Sequence, residues 1–338
     1  MTKNLTLLLM CASGSLMADA GSAFRETVAT KSKETPVVQG AGSWLYLPAE
    51  LTHVAAGKFW GDEATKVSKA TQPENADPLP AILDFKSQLD KAGIELILVP
   101  VPAKTFVYPE PLMGSEPGDT PPERMDGFHQ QFFDELRKNG VVVLDLLPDL
   151  LAERAKDLMF CKTDTHWSGL ATVLAAEKIA EFLKDKEWLK SAQSLKTKTE
   201  TRGLEIRGDL AKMQNESSPS AETLNLRFVT DAAGAAIPPD KASPVVLLGD
   251  SHTLVFQAGG DMLASGAGLA DQLAHELKIP VDLVGVRGSG ATPARINLMR
   301  RARADENYLK NKKVVVWCFT TREFTEASGW SRVPLQKP

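Results

Sequence analysis

The sequence predicts an α/β protein in which helices cover both faces of a mainly parallel central sheet. Five apolar runs of four to seven residues, rich in β-branched side chains, suit strands that are buried on both faces. Helix-like stretches separate these runs through most of the chain. Because strands that alternate with helices form a sheet between two helical layers, we expect a three-layer α/β/α fold.

The predicted elements follow one another in a regular order along the chain. The five strands are Glu95–Val101, Val141–Leu146, Val245–Leu248, Val281–Val286 and Val314–Phe319. The five helices are Leu79–Ala92, Pro122–Asn139, Ser168–Lys184, Thr253–Leu277 and Pro293–Asn311. Gly93 and Gly140 directly follow the first two helices, at a position where glycine commonly ends a helix.

Residues 187–243 interrupt this alternation. The segment contains several Ser, Thr and Pro residues, and we interpret it as an insertion into the α/β core. Short strands are expected within it around Thr199–Leu210 and Leu224–Val229.

The composition is that of an ordinary globular protein. The 338 residues include 39 Lys and Arg against 43 Asp and Glu, a net charge of −4, and 43% of them are hydrophobic. These values exclude a mainly disordered chain, a collagen-like chain and a disulfide-dense small protein. The mildly acidic total also argues against a nucleic-acid partner, which usually requires a basic surface.

The first twenty residues have the pattern of a cleaved export signal. Lys3 precedes the apolar run Leu5–Leu16, and Ala18 and Ala20 put small residues at the positions that a signal peptidase recognises. A buried amino-terminal helix is the alternative. Residues 21–39 are expected to form an irregular, mobile leader, so that the folded domain spans residues 40–330.

Two cysteines, Cys161 and Cys318, lie outside this signal. An exported protein can join such a pair in one disulfide, and two small buried apolar side chains are the alternative. Neither cysteine suggests a metal site, because no second Cys or His lies at ligand spacing beside it.

A candidate nucleophile, Ser251, follows the third predicted strand in the motif Gly249-Asp250-Ser251-His252. Reactive groups of open α/β sheets gather beyond the carboxyl ends of the strands. The N–H groups that begin the following helix can hold the oxyanion of a tetrahedral intermediate, and one such donor is worth about 3–4 kcal/mol. A turn that merely caps a helix is the alternative.

A candidate base lies in the segment Asp164-Thr165-His166-Trp167-Ser168. Serine becomes a good nucleophile when a histidine takes its proton, and a third group must orient that histidine. In an extended segment Asp164 and His166 point to the same side, and Ser168 can cap the helix that follows. A structural loop histidine and an Asp/His metal site are the alternatives, although a third metal ligand is not evident.

The two motifs together are more specific than either one alone. Among the five histidines, His53 and His129 have no acidic neighbour at useful spacing, and His275 is expected on an exposed helix face. His252 is adjacent to Ser251 and is therefore also a candidate for the base. It ranks second, because adjacent side chains on a turn tend to diverge.

Six segments of the chain also resemble a known family. They are Gly42–Tyr46, Val99–Glu110, Asp164–Trp167, Gly208–Leu210, Gly249–Ser251 and Trp317–Phe324. These segments resemble the SGNH hydrolase-like alginate O-acetyltransferases of the J and X types, over about residues 37–326. The resemblance implies an SGNH hydrolase-like fold with a circularly permuted motif order, since the Asp and His precede the Ser. Members of the X type carry an additional C-terminal carbohydrate-binding module, for which the sequence up to Pro338 offers no room, so we expect the chain to be more similar to the J type.

The resemblance also assigns site residues. It implies Ser251 as nucleophile, His166 as base and Asp164 as the group that orients the base. The usual Gly-x-Asn-Asp block is missing, so the best candidates for the oxyanion site are Gly288, Ser289 and Gly290, with a flexible loop as the alternative. Arg322, at the end of the last strand, is a candidate for the edge of the site.

The implied reaction is the transfer of acetyl groups in the periplasm through an acetyl-serine. The acceptor is an exopolysaccharide such as alginate, and the implied partners are a membrane O-acyltransferase that supplies acetyl groups and other periplasmic acetylation proteins. No cofactor or metal is expected. An exported carbohydrate acetylesterase with the same triad and a non-catalytic polysaccharide-binding scaffold remain as alternatives.

Substrate contacts are less specified by the sequence. The segment Arg295–Lys313 concentrates seven basic residues that could attract a polyanion, but such a run usually forms a solvated helix face, which we favour. Trp44, Trp60 and Trp167 could stack on sugar rings, although core packing is the commoner role of tryptophan.

Overall fold

A five-stranded parallel sheet lies at the centre of the molecule. The computed structural model of the chain describes residues 21–214 and 221–335. Its strands are Glu95–Val101 (β3), Val142–Val143 (β4), Val245–Gly249 (β7), Asp282–Gly285 (β8) and Val314–Thr320 (β9). They lie side by side in the order β4-β3-β9-β7-β8. The predicted parallel sheet is therefore confirmed.

Alternation of side chains along the strands explains why both faces of the sheet are covered. In β3, Ile97 and Val99 belong to one hydrophobic core, whereas Leu96 and Leu98 belong to a second core on the other face. Strand β9 divides its side chains between the two cores in the same way. Because successive residues of a strand point to opposite faces, each apolar run needs a helical layer on either side.

The helices form these two layers. Their bounds are 21–31 (α1), Pro48–Ala55 (α2), Ala64–Val67 (α3), Pro78–Lys91 (α4), Lys104–Val107 (α5), Gly127–Lys138 (α6), Leu147–Glu153 (α7), Gly169–Leu183 (α8), Glu187–Ala192 (α9), Asp209–Gln214 (α10), Leu269–Leu277 (α11), Thr292–Ala304 (α12) and Glu323–Glu326 (α13). Helices α7, α8 and α11 contribute to one core, and α4, α6 and α12 contribute to the other. The three-layer α/β/α prediction is confirmed.

The insertion contains a long antiparallel hairpin. Strands β5 (Thr197–Ile206) and β6 (Glu222–Asp231) pair along their whole length. Leu224, Leu226 and Val229 of β6 are buried, while most of β5 is exposed. The expected strand around Thr199–Leu210 is too long at its end, because the chain turns at Gly208 and begins α10 at Asp209. A shorter antiparallel pair joins β1 (Val38–Gln39) to β2 (Leu45–Tyr46).

The segment expected to be an irregular leader is instead ordered. Residues 21–31 form α1, and Phe24 and Val28 are buried in the core that includes α2 and α5. The expectation is corrected because apolar side chains at helical spacing give α1 a face to bury. The predicted export signal, residues 1–20, lies outside the described residues.

The long helix predicted at Thr253–Leu277 is wrong in its first half. Regular helix begins only at Leu269, after a chain of turns. Phe256 and Leu263 have φ values of 60° and 71°, which are incompatible with a right-handed helix. Four glycines between residues 259 and 268 favour these turns over a helix.

Three further predicted elements are shorter in the structure, and one of them is the helix predicted at Pro122–Asn139, which begins only at Gly127. The strand expected at Val141–Leu146 shortens to two residues at the edge of the sheet. The helix expected at Pro293–Asn311 ends at Ala304, followed by a short 3₁₀ turn at Tyr308–Asn311. Within residues 21–214 and 221–335, no helix is long and apolar enough to cross a membrane.

The cysteines follow the second of the two alternatives. Cys161 and Cys318 are both free thiols and are fully buried in the core. Burial raises the pKa of each thiol well above its usual value, which keeps both sulfur atoms protonated and unreactive.

Candidate active site

The turn after β7 presents Ser251 at the carboxyl end of the sheet. Ser251 opens a 3₁₀ turn, Ser251–Thr253. Asp250 fixes this turn, because its Oδ1 accepts the N–H of His252 at 2.9 Å and its Oδ2 accepts the N–H of Thr320 at 2.8 Å. Gly249 allows the close approach of β9, since a Cβ atom there would lie 1.8 Å from the carbonyl oxygen of Cys318.

A tight loop before α8 presents His166. Phe160 and Trp167 form an antiparallel bridge, and the N–H of Cys161 donates to the carbonyl of His166 at 3.1 Å. Ser168 caps α8, as predicted, because its Oγ accepts the N–H of Ala171 at 3.3 Å. The loop therefore holds His166 just ahead of a rigid helix.

The structure brings the three candidate triad residues into one hydrogen-bonded chain. His166 Nε2 lies 2.7 Å from Ser251 Oγ, and His166 Nδ1 lies 2.6 Å from Asp164 Oδ1. The side chains are nearly buried, and Ser251 is the most accessible of the three at 8% exposure, compared with 2% for Asp164. These contacts give the nucleophile–base–orienter geometry that serine activation requires.

Electrostatics of the pair favour a charged histidine beside a charged aspartate. Burial lowers the pKa of His166, but its hydrogen bond to Asp164 and the negative charges of Asp164, Asp209 and Asp250 outweigh burial and raise the pKa above 6.5. Burial raises the pKa of Asp164, and hydrogen bonds from His166 and Asp209 reverse this and leave it below its usual range. Asp164 therefore stays ionised, and its carboxylate favours a positive charge on the imidazole of His166.

Asp209 is a fourth residue at the site that the sequence motifs did not assign. Its N–H donates to Asp164 Oδ2 at 2.8 Å, and its carboxylate accepts the N–H and hydroxyl of Thr165 at 2.7 and 2.6 Å. Gly208 allows this approach, because a Cβ atom there would lie 2.2 Å from the carbonyl oxygen of Thr163. The Gly208-Asp209 pair was visible as a family landmark, but its role depends on how the hairpin folds back.

The same carboxylates form a group with metal-ligand geometry. Ligand atoms of Asp164, His166 and Asp209 lie within 4.8 Å of one another, so the structure supplies the third group that the sequence did not reveal. The imidazole and both carboxylates are engaged in the hydrogen bonds described above. A metal ion would have to replace these bonds, including the contact that orients His166.

The second candidate base, His252, lies close to this chain of bonds, with its ring centroid 4.9 Å from that of His166, but its ring nitrogen bonds to a different carboxylate. Its Nδ1 lies 3.2 Å from Asp250 Oδ1. Burial, opposed by Asp250, lowers the pKa of His252 to about 4. His252 is therefore neutral at pH 7. Trp167 is fully buried, and its indole N–H donates to the carbonyl of His252 at 3.2 Å. This bond stabilises the turn Ser251–Thr253.

The loop Gly288–Gly290 packs against the serine turn. A Cβ atom at Gly290 would lie 3.0 Å from the backbone N of Asp250, which shows how closely the two loops approach. The hydroxyl of Ser289 donates to Glu323 Oε2, and the carbonyl of Gly290 accepts the indole N–H of Trp317 at 2.9 Å. Burial and the charge of Asp250 raise the pKa of Glu323 to about 7. These contacts hold the loop beside Ser251.

Arg322 follows β9, the strand beside β7. Burial raises the pKa of the Glu50 and Glu323 carboxyl groups, and the charge of Arg322 opposes that rise. At Asp250, burial is outweighed by His252 and Arg322, which hold the pKa below its usual value. The Nη1 atom of Arg322 is buried, and within the described residues no protein group accepts a hydrogen bond from it. The structure therefore places this cation among the polar groups near the serine turn.

The other aromatic and basic candidates are mostly structural. Trp44 is fully buried and Trp60 is 8% exposed, so both are core residues. The basic run departs from a simple solvated face, because Arg295 is fully buried and Lys312 is 2% exposed. Arg301 pairs with Asp282. The expectation is corrected because charges on this run bond to neighbouring backbone and carboxylate groups, while Arg300, Arg303, Lys310 and Lys313 remain exposed.

The remaining histidines lie apart from the triad. His53 Nε2 and His129 Nε2 lie 2.8 Å apart, and His53 Nδ1 lies 2.9 Å from Thr325 Oγ1. His275 is on α11, as expected, but it is partly buried and its Nδ1 lies 2.6 Å from Thr197 Oγ1. The sequence did not predict any of these three contacts, because the partners come from elements that are distant in the chain.

Comparison with known proteins identifies related sequences. The profile of the family described as "SGNH hydrolase-like domain, acetyltransferase AlgX" matches residues 37–321. Two curated proteins described as "Probable alginate O-acetylase AlgJ" are each 26% identical to the chain. The protein from Pseudomonas syringae pv. tomato aligns over 294 residues, 85% of this chain and 68% of its own length. The protein from Pseudomonas aeruginosa aligns over 319 residues, 89% of this chain and 79% of its own.

Solved structures share the fold. The O-acetyltransferase domain of Pseudomonas putida AlgJ gives a TM-score of 0.62 at 24% identity, covering 86% of this chain and 92% of that domain. Pseudomonas aeruginosa AlgX gives a TM-score of 0.58 at 18% identity, covering 85% of this chain and 63% of that chain. The predicted SGNH hydrolase-like fold is thereby confirmed.

Proposed function

Because the chain belongs to the SGNH hydrolase-like acetyltransferase family of AlgX and AlgJ, we propose that it transfers acetyl groups onto hydroxyls of an exopolysaccharide such as alginate. The observation that carries the proposal is the 2.7 Å contact between Ser251 Oγ and His166 Nε2, continued by the 2.6 Å contact to Asp164. In this proposal Ser251 is the nucleophile, His166 the base and Asp164 the group that orients the base.

The first half-reaction loads the enzyme. Ser251 Oγ attacks the carbonyl carbon of an acetyl donor while His166 Nε2 takes the hydroxyl proton. Asp164 accepts the Nδ1–H of His166 and stabilises the imidazolium. The tetrahedral intermediate collapses to an acetyl ester on Ser251. The leaving group departs with the proton that His166 returns.

The second half-reaction delivers the acetyl group to the sugar. A hydroxyl of the acceptor loses its proton to His166 Nε2 and attacks the carbonyl carbon of the acetyl-serine. The ester bond to Ser251 then breaks, and its oxygen recovers the proton from His166. Atoms balance over the two steps, because one acetyl group moves from donor to acceptor and the enzyme is regenerated.

The negative charge of each tetrahedral intermediate requires preorganised donors. Ser251 is the first residue of the 3₁₀ turn, and the first N–H groups of a helical turn have no partner within it. We therefore assign the backbone N–H of Ser251 as one donor to the oxyanion. We assign the second part of the oxyanion site to the Gly288–Gly290 loop, which is held against this turn. Arg322 borders the same region and adds positive charge. Each donor is expected to contribute about 3–4 kcal/mol to the barrier reduction.

The proposed setting is the periplasm. Residues 1–20 are proposed to be a cleaved export signal, and amino-terminal sequencing of the exported protein should start at Gly21. Because acetyl-CoA is not supplied outside the cytoplasm, we propose that a membrane O-acyltransferase provides the acetyl groups, with other periplasmic acetylation proteins as partners. The proposed acceptor follows from the relatives described as probable alginate O-acetylases.

Trapping of the acetyl-enzyme tests this proposal. The purified protein is mixed with a small activated acetyl ester, and peptide mass spectrometry locates the added acetyl group. We expect the acetyl group on Ser251, no acetylation and no turnover with Ser251→Ala, and normal turnover with Ser115→Ala, an exposed serine on a surface turn. Full turnover by Ser251→Ala would refute the assignment of the nucleophile.

Water can replace the sugar in the second half-reaction, so a carbohydrate acetylesterase is the competing function. An assay with an acetyl ester and alginate oligosaccharides separates the two. Appearance of an acetylated oligosaccharide, with a matching decrease in free acetate, supports the transferase. Release of acetate at an unchanged rate, with no acetylated oligosaccharide, favours the esterase.

A further inference from the structure

Lys104 is a fully buried cation that the proposed reaction does not use. It is the first residue of α5, directly after the loop that follows β3, and its side chain is 1% exposed. Burial lowers the pKa of its ammonium group, and the negative charge of Glu50 opposes burial more than any other group. Because an uncompensated buried charge is costly, the groups around Lys104 must hold it in a defined position.

The contacts of Lys104 connect it to the candidate triad. Its Nζ donates to the carbonyl oxygen of Asp164 at 2.6 Å and to the carbonyl oxygen of Leu45 at 2.9 Å. Its own backbone N–H donates to Glu50 Oε1 at 2.9 Å. The ring of Tyr46 lies 5.7 Å from Nζ. The ammonium group thus ties the main chain of Asp164 to the β2 strand and to α5.

Asp164 is held from both ends as a result. Its carbonyl oxygen accepts the charge-assisted bond from Lys104, while its carboxylate accepts the N–H and Nδ1–H of His166 and the N–H of Asp209. Charge-assisted hydrogen bonds are stronger than neutral ones, and a displacement of about 1 Å can cost about 100-fold in rate. We propose that Lys104 is a positioning residue that sets the orientation of Asp164 and, through Asp164, that of His166. This inference rests on the function proposed above.

Lys104→Met tests this role, because methionine nearly fills the volume but cannot donate a hydrogen bond. Lys312→Met is the matched control. Lys312 is also a buried cation whose Nζ donates to two backbone carbonyls, those of Lys241 and Ser243, and to Asp282. It lies just before β9, at the amino end of the sheet, whereas Ser251 lies beyond the carboxyl end. Both variants should lower the unfolding temperature.

The decisive readout is the change in kcat and KM with a small acetyl ester, measured well below the unfolding temperature of each variant. We expect Lys104→Met to lower kcat by about tenfold or more while KM changes by less than about twofold, and Lys312→Met to leave both within about twofold. A residue that acts only on stability would not separate kcat from KM in this way.

A double-mutant cycle identifies the residue through which Lys104 acts. In the Asp164→Asn background, Lys104→Met should reduce kcat by less than about twofold further, because the group it positions no longer functions. An equal loss in both backgrounds, or a change confined to KM, would overturn the inference. If Lys104→Met does not fold, Lys104→Gln replaces it in the same cycle. Its shorter, neutral amide keeps two N–H donors, so we expect a smaller loss in kcat, and again less than about twofold further loss in the Asp164→Asn background. If Ser251→Ala retains activity, the proposed function fails instead, independently of this cycle.

Discussion

His166 Nε2 lies 2.7 Å from Ser251 Oγ, although the two residues are 85 positions apart in the sequence. Each side chain is held by its own local device, a capped loop before α8 and an Asp250-fixed turn after β7. The contact therefore depends on the packing of α8 and β7 in one domain. It also distinguishes His166 from His252, the histidine adjacent to the serine in the chain.

Replacement of the two histidines should have very different effects. His166→Gln is expected to reduce acetyl-ester turnover by a factor on the order of 10⁴ or more, because no base remains to take the Ser251 proton. His252→Gln should cost less than about tenfold, since His252 bonds to Asp250 and is neutral at pH 7. Steady-state kinetics of both variants check this. A larger loss with His252→Gln than with His166→Gln would reverse the assignment of the base.

The pH dependence of turnover should report the titration of His166. The pKa of His166 is raised above 6.5. We therefore expect kcat/KM to fall as the pH falls through this raised pKa, because the base becomes protonated. Asp164→Asn removes the negative charge that raises the pKa. We therefore expect the acid limb of the profile to move to lower pH and the maximal rate to fall by a factor on the order of 10⁴. An unshifted acid limb in this variant would argue against the Asp164–His166 pair.

Gly208 should be intolerant of even a methyl group. Gly208→Ala places a Cβ atom 2.2 Å from the carbonyl oxygen of Thr163, next to Asp164. We expect a loss of about 1–3 kcal/mol in the free energy of unfolding and about 100-fold in kcat, as the Asp209 and Asp164 segments separate.

Gly203→Ala is the matched control for this substitution. A Cβ atom at Gly203 would meet a methyl group of Thr223 at 3.5 Å, an ordinary contact, in the middle of β5. This variant should gain about 0.5 kcal/mol in stability and keep full activity. Equal activity in the two variants would show that the close approach at Gly208 is not needed for the site.

The buried pair of His53 and His129 should make stability depend on pH. Burial lowers the pKa of His129 from 6.5 to about 4. Above pH 6.5 the residue is neutral in both the folded and unfolded states, so its contribution is complete. As the pH falls from 6.5 towards 4, His129 becomes protonated in the unfolded chain but stays neutral in the folded protein. The free energy of unfolding should fall by about 3 kcal/mol over this range.

Denaturant unfolding at several pH values between 4 and 8 measures this effect. The difference between the wild-type curve and the His129→Gln curve reports the titration of His129 together with its effect on His53, whose pKa is lowered by burial and by the charge of His129. His275→Gln is the control, because His275 is only partly buried and should flatten the curve much less. Parallel curves for wild type and His129→Gln would contradict the predicted linkage.

Most of the fold follows from local patterns in the sequence. The strands Glu95–Val101 and Val314–Thr320 are nearly continuous apolar runs rich in β-branched side chains, and such runs suit strands that are covered on both faces of the sheet. The helix Gly169–Leu183 has a serine cap that is visible in the sequence. The failures also have local explanations that the predictions missed, because α1 carries apolar side chains at helical spacing and four glycines after Thr253 disfavour a helix.

The α/β architecture and the two motifs that contain Ser251, His166 and Asp164 could be read from the sequence, because continuous apolar runs and strand-end turns are encoded by neighbouring residues. The packed structure was needed to show that Asp209 and Lys104 hold Asp164, that His252 is not in the hydrogen-bonded chain, and that the cysteines are separate thiols. These outcomes depend on distances between segments far apart in the chain. Such distances are set by how the helices and the hairpin pack on the sheet, which no local pattern specifies.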